Sequence, residues 1–153
     1  GGYSYFSGDD SPSDGVHSTF HPLLPTIRPY AMMPFYTQSN LKDVFAQVLL
    51  KPGPDWTARM DVHFLNLASA QDLWYVGSGA TQNRGSINGY AGRPGGGGSH
   101  LGTLLDLGVD YQLDDNNKLG AYFGHVFGGD VPSSSYLSPH ANFFFLEYNL
   151  KLP

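Results

Sequence analysis

The sequence predicts an all-β fold, an antiparallel transmembrane β-barrel segment that contributes about six strands to a larger barrel, with short periplasmic turns and long extracellular loops. Three observations favour this fold class. Apolar and polar residues alternate with a period of two in several stretches, which indicates strands with one apolar and one polar face. These stretches have about ten residues or more, the length of a tilted membrane-crossing strand. The connections between them alternate between short and long.

The stretch from 100 to 113 is the clearest of these strands. Its odd-numbered positions carry leucine, valine, tyrosine and one threonine, whereas its even-numbered positions include glycine, Asp106 and Asp110. Strands of soluble domains usually have about five or six residues, so the length also favours a barrel wall. The polar turn Asp114–Asn117 follows, and the alternation resumes over residues 118–127. Two long strands joined by a tight turn are typical of an outer-membrane hairpin.

The other strands are predicted from the same alternation. In chain order the predicted strands span residues 1–6, 40–51, 56–67, 100–113, 118–127 and 142–152. On the strand 56–67, one face carries Trp56, Ala58, Met60, Val62 and Phe64, and the other carries Thr57, Arg59, Asp61 and His63. The short turn before it is Pro52–Asp55. His125 lies in the apolar row of the strand 118–127, and a membrane barrel would place it near the rim.

Three long connections are predicted to be loops. Residues 7–38 are rich in proline, residues 68–99 end in a glycine-rich run, and residues 128–140 contain a run of serines. The prolines of the first loop are Pro12, Pro22, Pro25, Pro29 and Pro34. Proline at this density interrupts helices and strand ladders, and loops of this length usually cover a pore or a surface.

Composition excludes several classes of protein. The chain has 153 residues and a formal net charge of −5, and its eight basic residues are scattered, which argues against nucleic-acid binding. Cysteine is absent, so disulfides, cysteine-zinc sites and thiol nucleophiles are excluded. No apolar run is long enough for a membrane helix. The chain opens without a signal-peptide pattern, and we interpret this start as the interior of a longer barrel.

The polar faces of the predicted strands carry the candidate functional residues. The pore-lining candidates are Lys51, Arg59, Asp61, His63, Asp106, Asp110, Lys118, Glu147 and Lys151. Charges that project into a channel set its ion preference and its field. The alternative interpretation is that they form solvated pairs that fill a wet interior.

No catalytic residue, cofactor or metal site is predicted. The sequence lacks a Gly-x-Ser-x-Gly elbow, and its six histidines show no compact metal spacing. Asp9, Asp10 and Asp14 are a calcium candidate because hard carboxylate oxygens suit this ion, but their spacing differs from that of an EF-hand. Loop capping through Asx turns is the favoured role for these three residues.

Aromatic residues near strand ends suit the girdles of a membrane barrel, although ordinary β-sheet enrichment explains them nearly as well. The residues considered for such girdles are Trp56, Trp74, Tyr75, Tyr111, Tyr122 and Tyr148.

Short motifs in a consistent order resemble the carboxy-terminal part of the alginate-export family of outer-membrane β-barrel porins. These motifs are Tyr5, Ser7–Asp10, Asp14-Gly15, Thr19-Phe20, Leu24-Pro25, Asn40–Lys42, Lys51-Pro52, Asp61–Leu65, Gly128–Asp130 and Phe144–Leu150. The resemblance covers most of the chain. It implies that the chain is the carboxy-terminal part of a large monomeric barrel. The family's namesake uses an arginine-lined pore for a polyanion, whereas the inward rows here include Asp43 and more carboxylates than cations, so alginate itself is a poor match.

The function expected from these observations is that of a channel segment and not of an enzyme. It would pass polar or anionic solutes across the bacterial cell outer membrane of a Gram-negative envelope. Its expected partners are the lipid and lipopolysaccharide bilayer, the remaining strands of the same barrel or another subunit, and the polar solute, with no nucleic acid. The principal alternative is a soluble or surface-attached β-sandwich that binds carbohydrate, in which the apolar rows face each other as a core. A third alternative is a part of a larger assembly with another purpose.

Overall fold

The structure is a computed structural model that describes residues 1–22, 32–75 and 92–152. In these ranges the chain forms eight β-strands and one short helix. The elements are β1 (Gly2–Phe6), β2 (Leu41–Gly53), β3 (Trp56–Asn66), β4 (Leu73–Tyr75), β5 (Gly92–Pro94), β6 (His100–Gln112), β7 (Asn117–Gly128), α1 (Asp130–Ser135) and β8 (Ala141–Leu150). No helix of the described residues is sufficiently long and apolar to span a bilayer.

The six long strands form one antiparallel sheet in the order β1-β2-β3-β6-β7-β8, and β4 pairs with β5 in a small second sheet. This confirms the predicted set of six antiparallel strands, whose bounds differ from the predicted ones by at most two residues. Within the described ranges the sheet is open, with β1 and β8 as its edges, and a closed barrel is not observed.

The tight turn between β6 and β7 is stabilised by one carboxylate. Asp114 accepts hydrogen bonds from the backbone N–H of Asn116 at 2.9 Å and from the side-chain amide of Asn117 at 2.7 Å. Because these donors favour the ionised form, they lower the pKa of Asp114. The polar sequence of this turn therefore fixes the hairpin as predicted.

One face of the large sheet, here called the outer face, is apolar and exposed along its whole width. Its exposed side chains are Val44, Val48, Leu50, Trp56, Met60, Phe64, Leu107, Val109, Leu119, Phe123, Phe127, Phe144, Leu146, Tyr148 and Leu150. Monomeric soluble proteins rarely expose a contiguous apolar surface of this extent. The period of two in the sequence therefore produces an apolar face that the described chain does not cover.

The opposite face, here called the inner face, is covered by loops over the half of the sheet that lies away from the tight turns. Met33, Tyr36 and Trp74 from the connecting segments pack on Leu104 and Tyr122 of the sheet. Among the described residues the core consists of Met33, Tyr36, Leu41, Leu65, Leu67, Trp74, Leu101, Leu104, Tyr122, Val126 and Val131. The small core therefore forms between loops and sheet, and not between two sheets.

Leu101 was predicted to lie in the apolar row of the strand 100–113. This prediction is wrong, because Leu101 is buried with only 1% of its surface exposed. The ladder between β3 and β6 shifts register here, so that Leu65 faces Gly102 while Asn66 faces His100. Such a bulge turns the extra residue out of the regular alternation. Gly102 permits it, since its φ is 150° and an added Cβ would lie 2.6 Å from a backbone oxygen of Phe127.

Three short elements lie in segments that were predicted to be loops. β4 and β5 lie within 68–99, and α1 lies within 128–140. The helix is fixed by burial of Val131 and by a 2.8 Å hydrogen bond from the N–H of Gly129 to the carbonyl of Leu101. These contacts connect residues that are distant in sequence, so local patterns did not reveal them.

The candidates for aromatic girdles separate into two groups. Trp56, Tyr111 and Tyr148 lie on the outer face at the end of the sheet with tight turns, where the Trp56 and Tyr111 rings are 4.5 Å apart. Trp74, Tyr75 and Tyr122 are buried, so the girdle interpretation is wrong for them. Trp74 and Tyr122 belong to the core between the loops and the inner face, and the Tyr75 hydroxyl donates to Asp72 within the loop cover.

Candidate functional site

A buried group of polar side chains lies on the inner face and includes three of the predicted site residues. It consists of Asp43 on β2, Asp61 and His63 on β3, and Asp106 on β6, and is called the His63 cluster below. Asp61 lies directly opposite Asp106 in the ladder, and His63 is two residues further along β3 on the same face. All four residues are buried.

The imidazole of His63 is held between two carboxylates. Its Nδ1 lies 2.9 Å and 3.1 Å from the two carboxylate oxygens of Asp43, and its Nε2 lies 3.9 Å from Oδ2 of Asp106. Because an ionised carboxylate only accepts hydrogen bonds, Nδ1 of His63 is the donor and Asp43 is the acceptor. The rings of Phe45 and Tyr36 lie on the imidazole, with centroids 5.5 Å and 6.1 Å away.

One oxygen of each of the other two carboxylates accepts a hydrogen bond from a neighbouring side chain. Arg59 donates from Nε to Oδ2 of Asp61, and the Tyr122 hydroxyl donates to Oδ1 of Asp106. Among the described residues, Oδ1 of Asp61 and Nε2 of His63 are buried without a hydrogen-bond partner. A buried polar atom without a partner is costly, so these two atoms are the places in the cluster where an additional partner would be most stabilising.

Tyr36 covers the cluster from the loop that precedes β2. Burial, and next the negative charge of Asp43, raise the pKa of the Tyr36 hydroxyl, which therefore stays protonated. A cavity of about 400 Å³ lies beside the cluster and is lined by Asp43, Arg59, His63 and Gln47, among others. This cavity provides an approach to the buried side chains.

The inner face is more open towards the tight turns. A second cavity of about 260 Å³ is lined there by Arg59, Asp110, Lys118 and Glu147 together with neutral residues. Lys118 Nζ lies 3.3 Å from Oδ2 of Asp110, and both side chains are partly exposed. Oε1 of Glu147 accepts a hydrogen bond from the Asn149 amide at 2.7 Å. Four further predicted residues thus line one cavity.

Lys51 and Lys151 are separate from both groups. Lys51 is exposed in the irregular end of β2, where the register shifts before the turn. Lys151 is exposed after the end of β8, and its backbone N–H donates to the carbonyl of Asn116 at 2.8 Å. A role of these two lysines in a pore stays a prediction.

Asp72, which the sequence did not single out, connects the loops above the inner face. Its Oδ2 accepts hydrogen bonds from the N–H of Asp9 at 2.9 Å and from the Thr19 hydroxyl at 2.5 Å. Its Oδ1 accepts one from the Tyr75 hydroxyl at 2.7 Å. Burial, followed by this hydrogen bond, raises the pKa of Tyr75.

Asn40 also holds the loops together. The sequence did not indicate this role, since Asn40 was noted only as part of the motif Asn40–Lys42. Its Oδ1 accepts from the N–H of Ser69 at 2.7 Å, and its Nδ2 donates to the carbonyls of Ser69 and Leu73 at 3.0 Å each. Its φ of 48° lies in the left-handed region, which asparagine tolerates better than most residues. Several motifs of the resemblance therefore stabilise the loop cover.

The calcium candidates lie in the same loop. Asp9 Oδ1 accepts from the N–H of Ser11 at 3.0 Å, and Asp14 Oδ1 accepts from the N–H of Val16 at 2.8 Å. Both are the two-residue contacts of Asx turns, and Asp10 is exposed. This geometry favours loop capping over calcium binding for these residues.

Fold and site together define an antiparallel β-sheet protein with an exposed apolar outer face and a charged inner face. The family model described as alginate export matches residues 2–135. The chain therefore belongs to the alginate export family, a transport family not known for enzymatic activity, whose proteins are outer-membrane proteins. This match confirms the resemblance drawn from the motifs. Comparisons with curated proteins and with solved structures give no match.

Proposed function

We propose that the chain forms part of the wall of an outer-membrane channel, with the outer face against lipid and the inner face along a path for a polar or anionic solute. The observation that carries this proposal is the separation of side chains between the two faces of one sheet. A sheet of this kind is stable in a bilayer only when its edges are paired, because unpaired backbone groups in hydrocarbon cost several kcal/mol each. Further strands, from the same protein or another subunit, pair with β1 and β8.

The charges of the inner face support a polar solute more than a long polyanion. Arg59 forms an ion pair with Asp61, and Lys118 forms one with Asp110. Each cation is thus partly neutralised by a carboxylate of the same wall. The loop cover held by Asp72 and Asn40 narrows the path at the other half of the sheet, so solutes must pass these loops.

The partly exposed pair in the open cavity gives a direct test of the channel function. The protein is reconstituted into planar bilayers, and the reversal potential is measured across a salt gradient. Lys118→Gln removes a positive charge from the path and should shift selectivity towards cations, whereas Asp110→Asn should shift it towards anions. Lys42→Gln is a matched control, because Lys42 lies in the alternating row of the outer face.

The proposal requires opposite shifts for the two inner-face variants. Channels whose selectivity is the same in Lys118→Gln, Asp110→Asn and the unsubstituted protein would show that this cavity is not on the conduction path. Absence of conductance in preparations in which the sheet is folded and both of its edges are paired with the further strands would contradict the channel function itself.

A further inference from the structure

We propose that Asp61, His63 and Asp106 bind a divalent transition-metal ion of the zinc type. One ligand atom from each of these residues lies within 4.8 Å of the other two, and all three side chains are at least nine-tenths buried. This binding site goes beyond the transport role and does not depend on it.

The tautomer of His63 prepares its Nε2 for a metal. In the neutral ring with Nδ1 donating to Asp43, Nε2 carries the lone pair that a metal needs, and Nε2 has no hydrogen-bond partner among the described residues. In metal sites a carboxylate commonly accepts a hydrogen bond from the other ring nitrogen of the metal-binding histidine and so orients the ring. Asp43 is therefore the positioning residue of the site.

Each carboxylate of the site is also oriented by a hydrogen bond to one of its oxygens, and the second oxygen is the proposed metal ligand. Arg59 holds Oδ2 of Asp61, so the buried Oδ1 remains without a partner. Tyr122 holds Oδ1 of Asp106, and Oδ2 is the oxygen that lies 3.9 Å from His63 Nε2. A different neighbouring side chain thus orients each of the three ligands: Arg59 for Asp61, Asp43 for His63 and Tyr122 for Asp106.

Charge and distance both fit a dication. Three buried carboxylates face one guanidinium and one imidazole, so the cluster has an excess of negative charge. Zinc binds imidazole nitrogen and carboxylate oxygen at about 2.0–2.2 Å, so ligand atoms in a tetrahedral site are about 3.4 Å apart. Ligand separations of up to 4.8 Å must therefore shorten by up to about 1.4 Å when the ion binds. The imidazole favours Zn²⁺ over Ca²⁺, which prefers oxygen ligands.

The bound ion would join β3 to β6 and keep a coordination position for water or solute, since the protein supplies three ligands. The cavity beside His63 gives the ion an access route. The metal would therefore sit in the inner wall beneath Tyr36.

Metal titration tests this site. The protein in detergent is freed of metal with a chelator, and Zn²⁺ binding is measured by calorimetry, with Co²⁺ as a spectroscopic probe. We expect one ion per chain, a loss of affinity of about 100-fold or more in His63→Gln and in Asp61→Asn, and a loss of about 10–100-fold in Asp43→Asn. The controls His17→Ala and His140→Ala should bind as the unsubstituted protein does, although each removes one ring of a neighbouring histidine pair.

X-ray absorption of the zinc-loaded unsubstituted protein keeps the test valid if a cluster variant fails to fold. The proposal predicts one imidazole nitrogen with oxygen ligands in the remaining positions, because the cluster contains one histidine. Two imidazoles per ion, binding abolished by a control variant, or no zinc binding by the folded protein would each overturn it. The last result would mean that a protonated His63 neutralises the carboxylates instead.

Discussion

At the residue scale, the ionisation of His21 measures how well the loop before β2 is packed on the rest of the protein. Burial, and next the nearby His17, lower the pKa of His21 from 6.5 to about 4, while Asp72 opposes the shift. A histidine whose pKa is lower in the folded state contributes stability that is complete above pH 6.5 and is lost as the pH falls towards 4.

The lowered pKa of His21 predicts that acid weakens the packing of the loop before β2. Limited proteolysis of residues 7–22 should accelerate between neutral pH and pH 4, by up to about tenfold per pH unit between the two pKa values. The ring signal of His21 in an NMR titration should have its midpoint near 4, and His17→Gln should raise it. A midpoint at or above 6.5 would contradict the burial of this ring.

Asn40 should be sensitive to truncation for two reasons. Asn40→Ala leaves the N–H of Ser69 and the carbonyls of Ser69 and Leu73 without this partner, and each unpaired buried group costs about 1–3 kcal/mol. Asn40→Gly loses the same hydrogen bonds but relieves the positive φ, so it should be the milder change.

Hydrogen exchange of residues 66–75 measures the effect of both variants. We expect faster exchange in both, and fastest in Asn40→Ala. Unchanged exchange in Asn40→Ala would mean that the loop is held without this side chain.

At the scale of elements, the bulge at Gly102 fixes how β6 pairs with β3 and brings its backbone close to β7. An added Cβ would lie 2.6 Å from the Phe127 carbonyl oxygen, and φ is 150°. Gly102→Ala should therefore destabilise the folded protein by about 1–3 kcal/mol, the usual cost of a side chain in a strained backbone conformation. The matched control is Gly108→Ala on the same strand, where an added Cβ meets nothing within 4 Å.

Thermal unfolding in detergent compares the two variants. We expect a lower midpoint for Gly102→Ala and an unchanged or higher one for Gly108→Ala, because glycine weakens strand interiors. Equal midpoints would show that the bulge relaxes without cost.

The sequence predicted the six long strands because each carries its own alternating pattern. It did not predict that Leu101 turns inwards, since the bulge depends on a ladder with Asn66 across the sheet. The His63 cluster was only partly predicted for the same reason. Asp61, His63 and Asp106 were recognised as inward residues, but their meeting depends on cross-strand register and not on spacing along the chain.

Tyr36 and Asp72 were missed because they act on residues that are distant in the chain, His63 for Tyr36 and Asp9 and Thr19 for Asp72. Tyr36 reaches His63 from a proline-rich segment that has no periodic pattern. Parts of the predicted loops 7–38 and 68–99 lie outside the described residues, and so do Pro25 and Pro29 of the first loop. Loop contacts of this kind depend on the whole fold, so local sequence carries little signal for them.

At the scale of the whole molecule, we expect neighbouring residues on opposite faces of the sheet to differ in how an arginine substitution affects membrane insertion. Val48 lies on the outer face and Gln47 on the inner face, and both are exposed. Val48→Arg should oppose insertion by about 2–4 kcal/mol if this position lies near the bilayer midplane, whereas Gln47→Arg should have little effect. Folding yield into lipid vesicles measures the difference, and equal yields would contradict a lipid-facing outer face.

The apolar rows also separate the membrane interpretation from the soluble sandwich. In a sandwich these rows face one another as a core. In the described residues Val48, Phe123 and Leu146 are exposed instead, and the polar row is the one that loops cover. The apolar rows therefore support the membrane interpretation.

Spin labelling of neighbouring positions tests most directly that the outer face contacts lipid. The chain lacks cysteine, so single cysteines at Gln47, Val48, Leu146 and Glu147 can be labelled cleanly in the protein reconstituted in bilayers. Collisions with oxygen, which concentrates in hydrocarbon, should dominate at Val48 and Leu146, and collisions with a water-soluble nickel complex should dominate at Gln47 and Glu147. If Val48 and Leu146 collide mainly with nickel, or are shielded from both reagents, the outer face does not contact lipid.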